Sequence, residues 1–407
     1  MTAAADDAGT RVLVAAVGWT GHVFPALALA GELRRRGHRV ALETFVRWRV
    51  VAEGLGLEFW AAEEQIELAG IAAPGGAPSL AAVARGLVAG MERFAPQVVV
   101  SDLYAVAPAL AAEVAGVPRA SLIPHPYPAL EPGLPPYPLG LAPPRTPLGS
   151  AAWRAIGPLV GPRLPNTQLR RVRAALDRER AALGLAPYTE YDGQISEQLS
   201  LVATFPQLEY PRAWPRTAHV TGPMAFELAH PEVELPPGDR PLVLVAASTE
   251  RDPADQLIET TLAALAREPV RVVATLNRRG SRWTRPTPEN ATVVDWLSYG
   301  QAMAAASAVV CHGGHGTVAR ALAAGLPTVV CPPAGDMAVN GARLAWSGAG
   351  LMLPHRLLGP RPLRLAVRRL LAEPSFARRA GEIAAWAREH DGAARGADLV
   401  ERLAASG

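Results

Sequence analysis

The feature that most limits the fold is a set of short, unbroken apolar runs, each followed by helical material, and the set occurs twice. The first half holds RVLVAAV (Arg11 to Val17), HRVALET, QVVVSDL and PRASLIP, with helical patterns such as FPALALAGELRRRG and YAVAPALAAEVAG between them. The second half holds RPLVLVAAS, VRVVATL, ATVVDW, SAVVCH, LPTVVCP and GLMLP, again separated by helical segments. A strand with one wet face alternates apolar and polar residues, so continuous Val/Leu/Ala runs belong to strands buried on both faces, as in parallel sheets. Two tandem doubly wound α/β domains are therefore expected. The chain can fill two cores: it has 407 residues, 49% of them hydrophobic, which leaves roughly 200 residues per domain.

The stretch Trp214 to Arg240 is rich in Pro and turn residues and has no helical period, which predicts the join there. This gives a first domain over 1–215, a linker over 216–240, a second domain over 241–390 and a terminal segment over 391–407. Ligands of such sheets gather beyond the carboxyl ends of the strands, so a cleft between the domains is the expected site. Between Pro124 and Pro147 stand ten prolines in 24 residues, which predicts a long, stiff loop without regular structure, apolar enough to suit a hydrophobic small molecule.

Charge excludes some partners. The 40 basic residues are all Arg and are interspersed with 37 acidic ones, for a net charge of +3, so no basic stripe exists for nucleic acid. The start, MTAAADDAGT, is acidic and small where a secretion signal is basic and then apolar. The long uncharged run Ser298 to Ala319 is interrupted by His312, Gly313, Gly314, His315 and Gly316, which do not suit a bilayer core. A cytoplasmic protein without a membrane span is expected, and a homodimer stays open. The two cysteines, Cys311 and Cys331, form no CxxC pair and read as reduced, buried thiols.

Chemistry concentrates in VVCHGGHGTVARALAAGLPTVVCPPAGDMAVNG (Val309 to Gly341). A strand, a glycine turn and a helix follow one another, and the amides at such a helix start attract an anionic phosphate. His312 and Thr317 can each donate a further hydrogen bond to the same group. The order is not GxGxxG, so the dinucleotide fingerprint is missing. Past the next strand, Asp336 and Asn340 lie four residues apart on one helix face, where they can meet vicinal hydroxyls of a sugar.

HGGHGTVARALAAGLPTVVCPPAGDMAVNGARL resembles the donor-binding signature of the nucleotide-sugar-dependent glycosyltransferases of the GT-B fold, the family 1 type that decorates natural products. GHVFPALALAGELRRRGHRV, VVVSDLYAVAPALAAEVAGVPRA, HVTGP and VVDWLSYGQAMAAASAVVCHGG appear in the family's order over nearly the whole chain. The resemblance implies two Rossmann-like domains facing across a cleft, the acceptor held by the first and the donor by the second, with a last helix crossing back to the first. It implies that His312 meets the diphosphate, supported by Gly314, Gly316 and Thr317, and that Ser248 and Thr249 form a further phosphate-side loop. Trp296 falls where an aromatic ring stacks on the base, Leu297 where backbone groups face the base edge, and His315 where a backbone amide faces the donor sugar, its ring standing in place of an often small residue and within reach of that sugar. Asp336 and Asn340 fall on the acidic and amide positions of the sugar site. The co-substrate would be a UDP- or dTDP-sugar, with no other cofactor.

The transfer needs a base. His22, in GWTGHVFP after the first strand, stands at the carboxyl edge, and an imidazole can take an acceptor's hydroxyl proton near neutral pH. Asp102, which ends QVVVSD at the same edge, would orient it. The expected reaction is a single displacement with inversion, with no metal, because no DxD is present. Met337 stands where the family commonly has Gln, and a thioether makes no strong hydrogen bond to a sugar hydroxyl; a deoxysugar donor is expected. Two alternatives remain at this point: a sugar-nucleotide epimerase of the same fold, and a silent partner of a true transferase.

Overall fold

The computed structural model describes residues 9–66, 77–160, 167–188, 195–228, 232–247, 255–333 and 335–406. Two parallel sheets are built in sequence. The first takes β1 (Arg11–Ala15), β2 (Arg39–Thr44), β3 (Glu58–Ala61), β4 (Val98–Asp102), β5 (Arg119–Ile123), β6 (Leu199–Val202) and β7 (Ala218–Val220), ordered β3-β2-β1-β4-β5-β6-β7. The second takes β8 (Leu242–Ala246), β9 (Arg271–Thr275), β10 (Ala291–Val294), β11 (Ala308–Cys311), β12 (Thr328–Val330) and β13 (Gly350–Met352), ordered β10-β9-β8-β11-β12-β13. The tandem doubly wound sheets expected from the apolar runs are present. Each sheet changes winding direction beside its first strand, between β1 and β4 and between β8 and β11. Such a switch point leaves a crevice beyond the carboxyl ends.

Helices bury both faces of each sheet. Leu27, Leu29 and Leu33 of the helix Thr20–Arg35 enter the core over β1 and β4, together with Ala397 and Val400 of the last helix, Gly392–Ser406. Burying one such Leu contributes roughly 1.5–3 kcal/mol. Arg36 ties the two together, its guanidinium 2.6 Å from Asp398 Oδ1. On the opposite face Leu80, Ala84, Met91 and Phe94 form the apolar stripe of the helix Leu80–Phe94, whose start is capped by Ser79 accepting from Ala82 N.

The structure adds three short strands to those expected: β3 and β7 at the edges of the first sheet, and buried β6 between β5 and β7. β3 is half exposed and β7 has three residues, too little pattern to reveal a strand. β7 lies inside the stretch Trp214 to Arg240 and edges the first sheet, so the crossing between sheets begins after Val220. The Pro-rich segment forms one short turn of 3-10 helix, Tyr137–Leu139, before the helix Pro147–Val160 begins. Gly140, at φ 57°, lets this segment touch the second domain: a Cβ there would lie 2.7 Å from that of Ala338. Cys311 and Cys331 are buried at the ends of adjacent strands, unpaired, and burial pushes both thiols up. No helix among the described residues is long and apolar enough to cross a membrane.

Candidate active site

The carboxyl edges of both sheets open on one cavity of about 1430 Å³, larger than the roughly 300–1,000 Å³ of a site for one small ligand. Two ligands fit in such a space.

On the first sheet, β1 runs into the helix Thr20–Arg35 through Trp19, which places His22 in the helix's first turn. Asp102 is the last residue of β4, on the other side of the switch point. The side chains meet across it, His22 Nδ1 lying 2.9 Å from Asp102 Oδ1. A carboxylate accepts, so Nδ1 carries the proton and Nε2 is left as the acceptor. Asp102 is buried, and its Oδ2 has no partner among the described residues, so His22 supplies its only described side-chain contact. The rings of Trp19 and Tyr104 lie 5.9 and 5.1 Å from that of His22. Both are about half exposed, at 46% and 52%, and line the cavity. They offer flat apolar surface on two sides of the base.

On the second sheet, the glycines have distinct duties. Gly313 adopts φ 95°, which an L side chain rarely reaches. At Gly314 a Cβ would lie 2.5 Å from His312 Nε2, so its absence makes room for that ring. At Gly316 a Cβ would meet nothing within 4 Å; the bare backbone faces the cavity. His312 donates from Nδ1 to the carbonyl of Ala246, 3.2 Å away at the end of β8. The helix starts at His315, within the glycine-rich stretch itself, with Gly314 as its cap residue. Thr317 N and Val318 N turn back to Gly314 O, whereas the amides of His315 and Gly316 bond to nothing among the described residues. Two amides, His312 and Thr317 thus line one wall of the cavity, an anion seat of the kind helix starts provide.

Trp296 and Leu297 follow β10 and line the same cavity. Trp296 is half-buried, with the Arg279 guanidinium 5.0 Å from its ring, while Leu297 packs into the second core. Asp336, exposed at the start of the helix Asp336–Ser347, sits on the cavity rim, and buried Met337 lines its wall. Ser248 and Thr249 lie outside the described residues.

Two expectations are corrected. Asn340 is buried beneath the glycine turn, and its Nδ2 donates to Gly313 O at 2.9 Å. It supports the turn and does not line the cavity. The His315 side chain does not lie open to a sugar. It spans to the first domain, Nε2 3.3 Å from the carbonyl of Ala203 after β6. Burial lowers its pKa to about 4, so the ring is neutral and serves as an interdomain contact.

Among the described residues no three His, Cys, Asp or Glu side chains gather in a metal-holding group.

The sequence is similar to known proteins on both sides of this cavity. Residues 12–120 match the glycosyltransferase family 28 N-terminal domain, and residues 259–402 match the C-terminal domain of erythromycin biosynthesis protein CIII-like proteins. The 4'-demethylrebeccamycin synthase of Lentzea aerocolonigenes is 29% identical over 97% of this chain and 100% of its own length. The crystal structure of the kitacinnamycin glycosyltransferase superposes with a TM-score of 0.75 at 23% identity, covering 97% of this chain and 99% of that one. The chain has the GT-B fold, and both of its halves and its full-length relative match natural-product glycosyltransferases. A further solved relative, glycosyltransferase VinC in complex with dTDP, has a TM-score of 0.67 at 21% identity over 98% of this chain and 100% of its own.

In this glycosyltransferase several cavity residues escaped the sequence reading. His125 follows β5 at the edge that carries His22, and the Pro-rich segment supplies Leu130 and Tyr137. Buried Arg343 of the helix Asp336–Ser347 lies 2.9 Å from Glu209, whose other oxygen accepts from Tyr127 N of the Pro-rich segment. The pair locks that segment to the helix bearing Asp336. Only the strand-end position of His125 gave a local signal; the ion pair joins residues 134 apart in sequence.

Proposed function

We propose that the enzyme transfers a sugar from a dTDP-sugar, with UDP-sugars as the second choice, to a hydroxyl of a small hydrophobic acceptor, with inversion. The observation that carries this reading is the His22–Asp102 pair, facing across one cavity the amide-rich start of the helix His315–Ala323. His22 Nε2 would take the acceptor's proton as its oxygen attacks the anomeric carbon. Asp102 fixes the tautomer and offsets the charge that the ring gains. The leaving diphosphate would rest on the amides of His315 and Gly316, with His312 and Thr317 beside them; such preorganised donors cost no reorganisation as charge develops. No step calls for a metal. Trp296 would carry the base, and the dTDP bound by the relative VinC supports thymine. Trp19 and Tyr104 suit a flat, apolar acceptor. Met337 gives the sugar site an apolar wall, which supports a deoxysugar. The first domain would hold the acceptor and the second the donor.

The test is transfer from a panel of dTDP- and UDP-sugars to phenolic acceptors, followed by mass spectrometry. A glycoside plus dTDP from the wild type, lost in His22→Ala while that variant still binds dTDP, supports the reading. Isomerisation of the donor without consumption of any acceptor contradicts it.

A further inference from the structure

A second histidine faces the acceptor side of the cavity, and the base does not account for it. His125 stands two residues past β5, is 7% exposed, and lines the cavity with His22. Its Nδ1 lies 2.9 Å from the carbonyl oxygen of Pro126. A carbonyl can only accept, so Nδ1 carries the proton. The Tyr137 hydroxyl, 3.3 Å from the same nitrogen, holds the ring from the Pro-rich side. Nε2 therefore bears a lone pair, and among the described residues it has no hydrogen-bond partner. Burial lowers the pKa of His125, which keeps this lone pair available. The ring centroid lies 6.5 Å from that of His22, with planes at 78°. Both residues line one cavity, and each ring keeps an unprotonated Nε2.

This spacing has a chemical match. Two hydrogen bonds of about 2.8 Å plus the roughly 2.7 Å between neighbouring hydroxyl oxygens span up to about 8 Å, a reach that matches two rings whose centroids lie 6.5 Å apart. A polar atom buried in an apolar wall penalises any ligand that leaves it unpaired.

We propose that His125 is a specificity-determining acceptor contact: its Nε2 accepts from a hydroxyl adjacent to the one that His22 activates, so the preferred acceptors are aromatic vicinal diols. The proposal rests on the transferase reading of the cavity and narrows its acceptor class. No covalent step is added; the second hydroxyl keeps its proton and shares it.

Luteolin and apigenin differ by one hydroxyl beside a phenol and serve as probes, with binding read from quenching of tryptophan fluorescence. In the wild type luteolin binds about tenfold more tightly than apigenin, the size of one hydrogen bond to a buried group. His125→Gln, whose amide carbonyl can accept, retains most of that preference. His125→Phe reduces it to within about twofold by weakening luteolin alone, and dTDP binds all three proteins equally. Equal affinities in the wild type, no binding of luteolin, survival of the preference in His125→Phe, or a loss of dTDP affinity confined to that variant would each overturn the proposal. A wild type that binds no pyrimidine diphosphate sinks the transferase reading instead. Nitrogen-15 NMR of histidine-labelled wild type gives a check that does not depend on the Phe variant folding. The resonance absent from His125→Gln must show a protonated Nδ1 and a bare Nε2 that shifts with luteolin and not with apigenin; the opposite tautomer contradicts the assignment.

Discussion

Each sheet carries a histidine at its switch point, after the first strand in one sheet and after the strand across the switch point in the other, and the two are held differently. His22 reaches across the β1/β4 switch point to a carboxylate, Asp102. His312 reaches across the β11/β8 switch point to a backbone carbonyl, that of Ala246. Each partner fixes one ring nitrogen as the donor. Only the carboxylate can also stabilise a positive ring, which is what a base becomes after taking a proton. A carbonyl dipole orients the imidazole with much less charge stabilisation, adequate for a residue that hydrogen-bonds an anion. The surroundings follow suit: aromatic rings beside His22, glycines and open amides beside His312. One edge is shaped for proton transfer and the other for holding charge.

The largest expected effect breaks the first edge. His22→Ala lowers kcat by about 10²–10⁴ with dTDP affinity unchanged, measured by steady-state transfer and titration calorimetry. Asp102→Asn follows, with a fall of about 10² in kcat, because an amide cannot offset the imidazolium. At the second edge, Gly316→Ala adds a methyl where the backbone faces empty cavity. It is expected to leave the melting temperature near that of the wild type while weakening dTDP by about tenfold; a normal dTDP affinity would remove the anion seat from the account. Asn340→Leu strips the support from Gly313 O and should cost about 1–3 kcal/mol of stability, with activity falling only as the folded fraction falls.

Much of this was legible because it is local. Strand, glycine turn and helix follow one another within Ala308 to Ala323, and short-range order of that kind needs no knowledge of the rest of the molecule. His22 and Asp102 were readable as strand-end residues of one sheet. Asn340 was misread because helix periodicity gives the face of a side chain and not what lies beneath it; here that was a turn carbonyl. His315 was misread because its partner, Ala203, is 112 residues away in the other domain. β3, β6 and β7 were missed as strands of only three or four residues, and His125 because its strand-end position was its sole signal.

The smallest effect contrasts two acids on the first edge. Asp102 has a histidine partner, whereas burial alone pushes the Glu43 carboxyl, on β2, from 4.5 up to about 8. The folded state then holds a proton that the unfolded chain releases, so wild-type stability falls as pH rises from about 4.5 to about 8. Glu43→Gln should lack that component of the decline, as thermal melts across this range would show.

The central claim, that one histidine serves the reaction and the other the donor, is tested most directly by titrating dTDP into the wild type, His22→Ala and His312→Ala. The account expects His22→Ala to bind as the wild type does and His312→Ala to bind at least about tenfold more weakly. Equal affinity in all three proteins, or a loss in His22→Ala as large as that in His312→Ala, would contradict it.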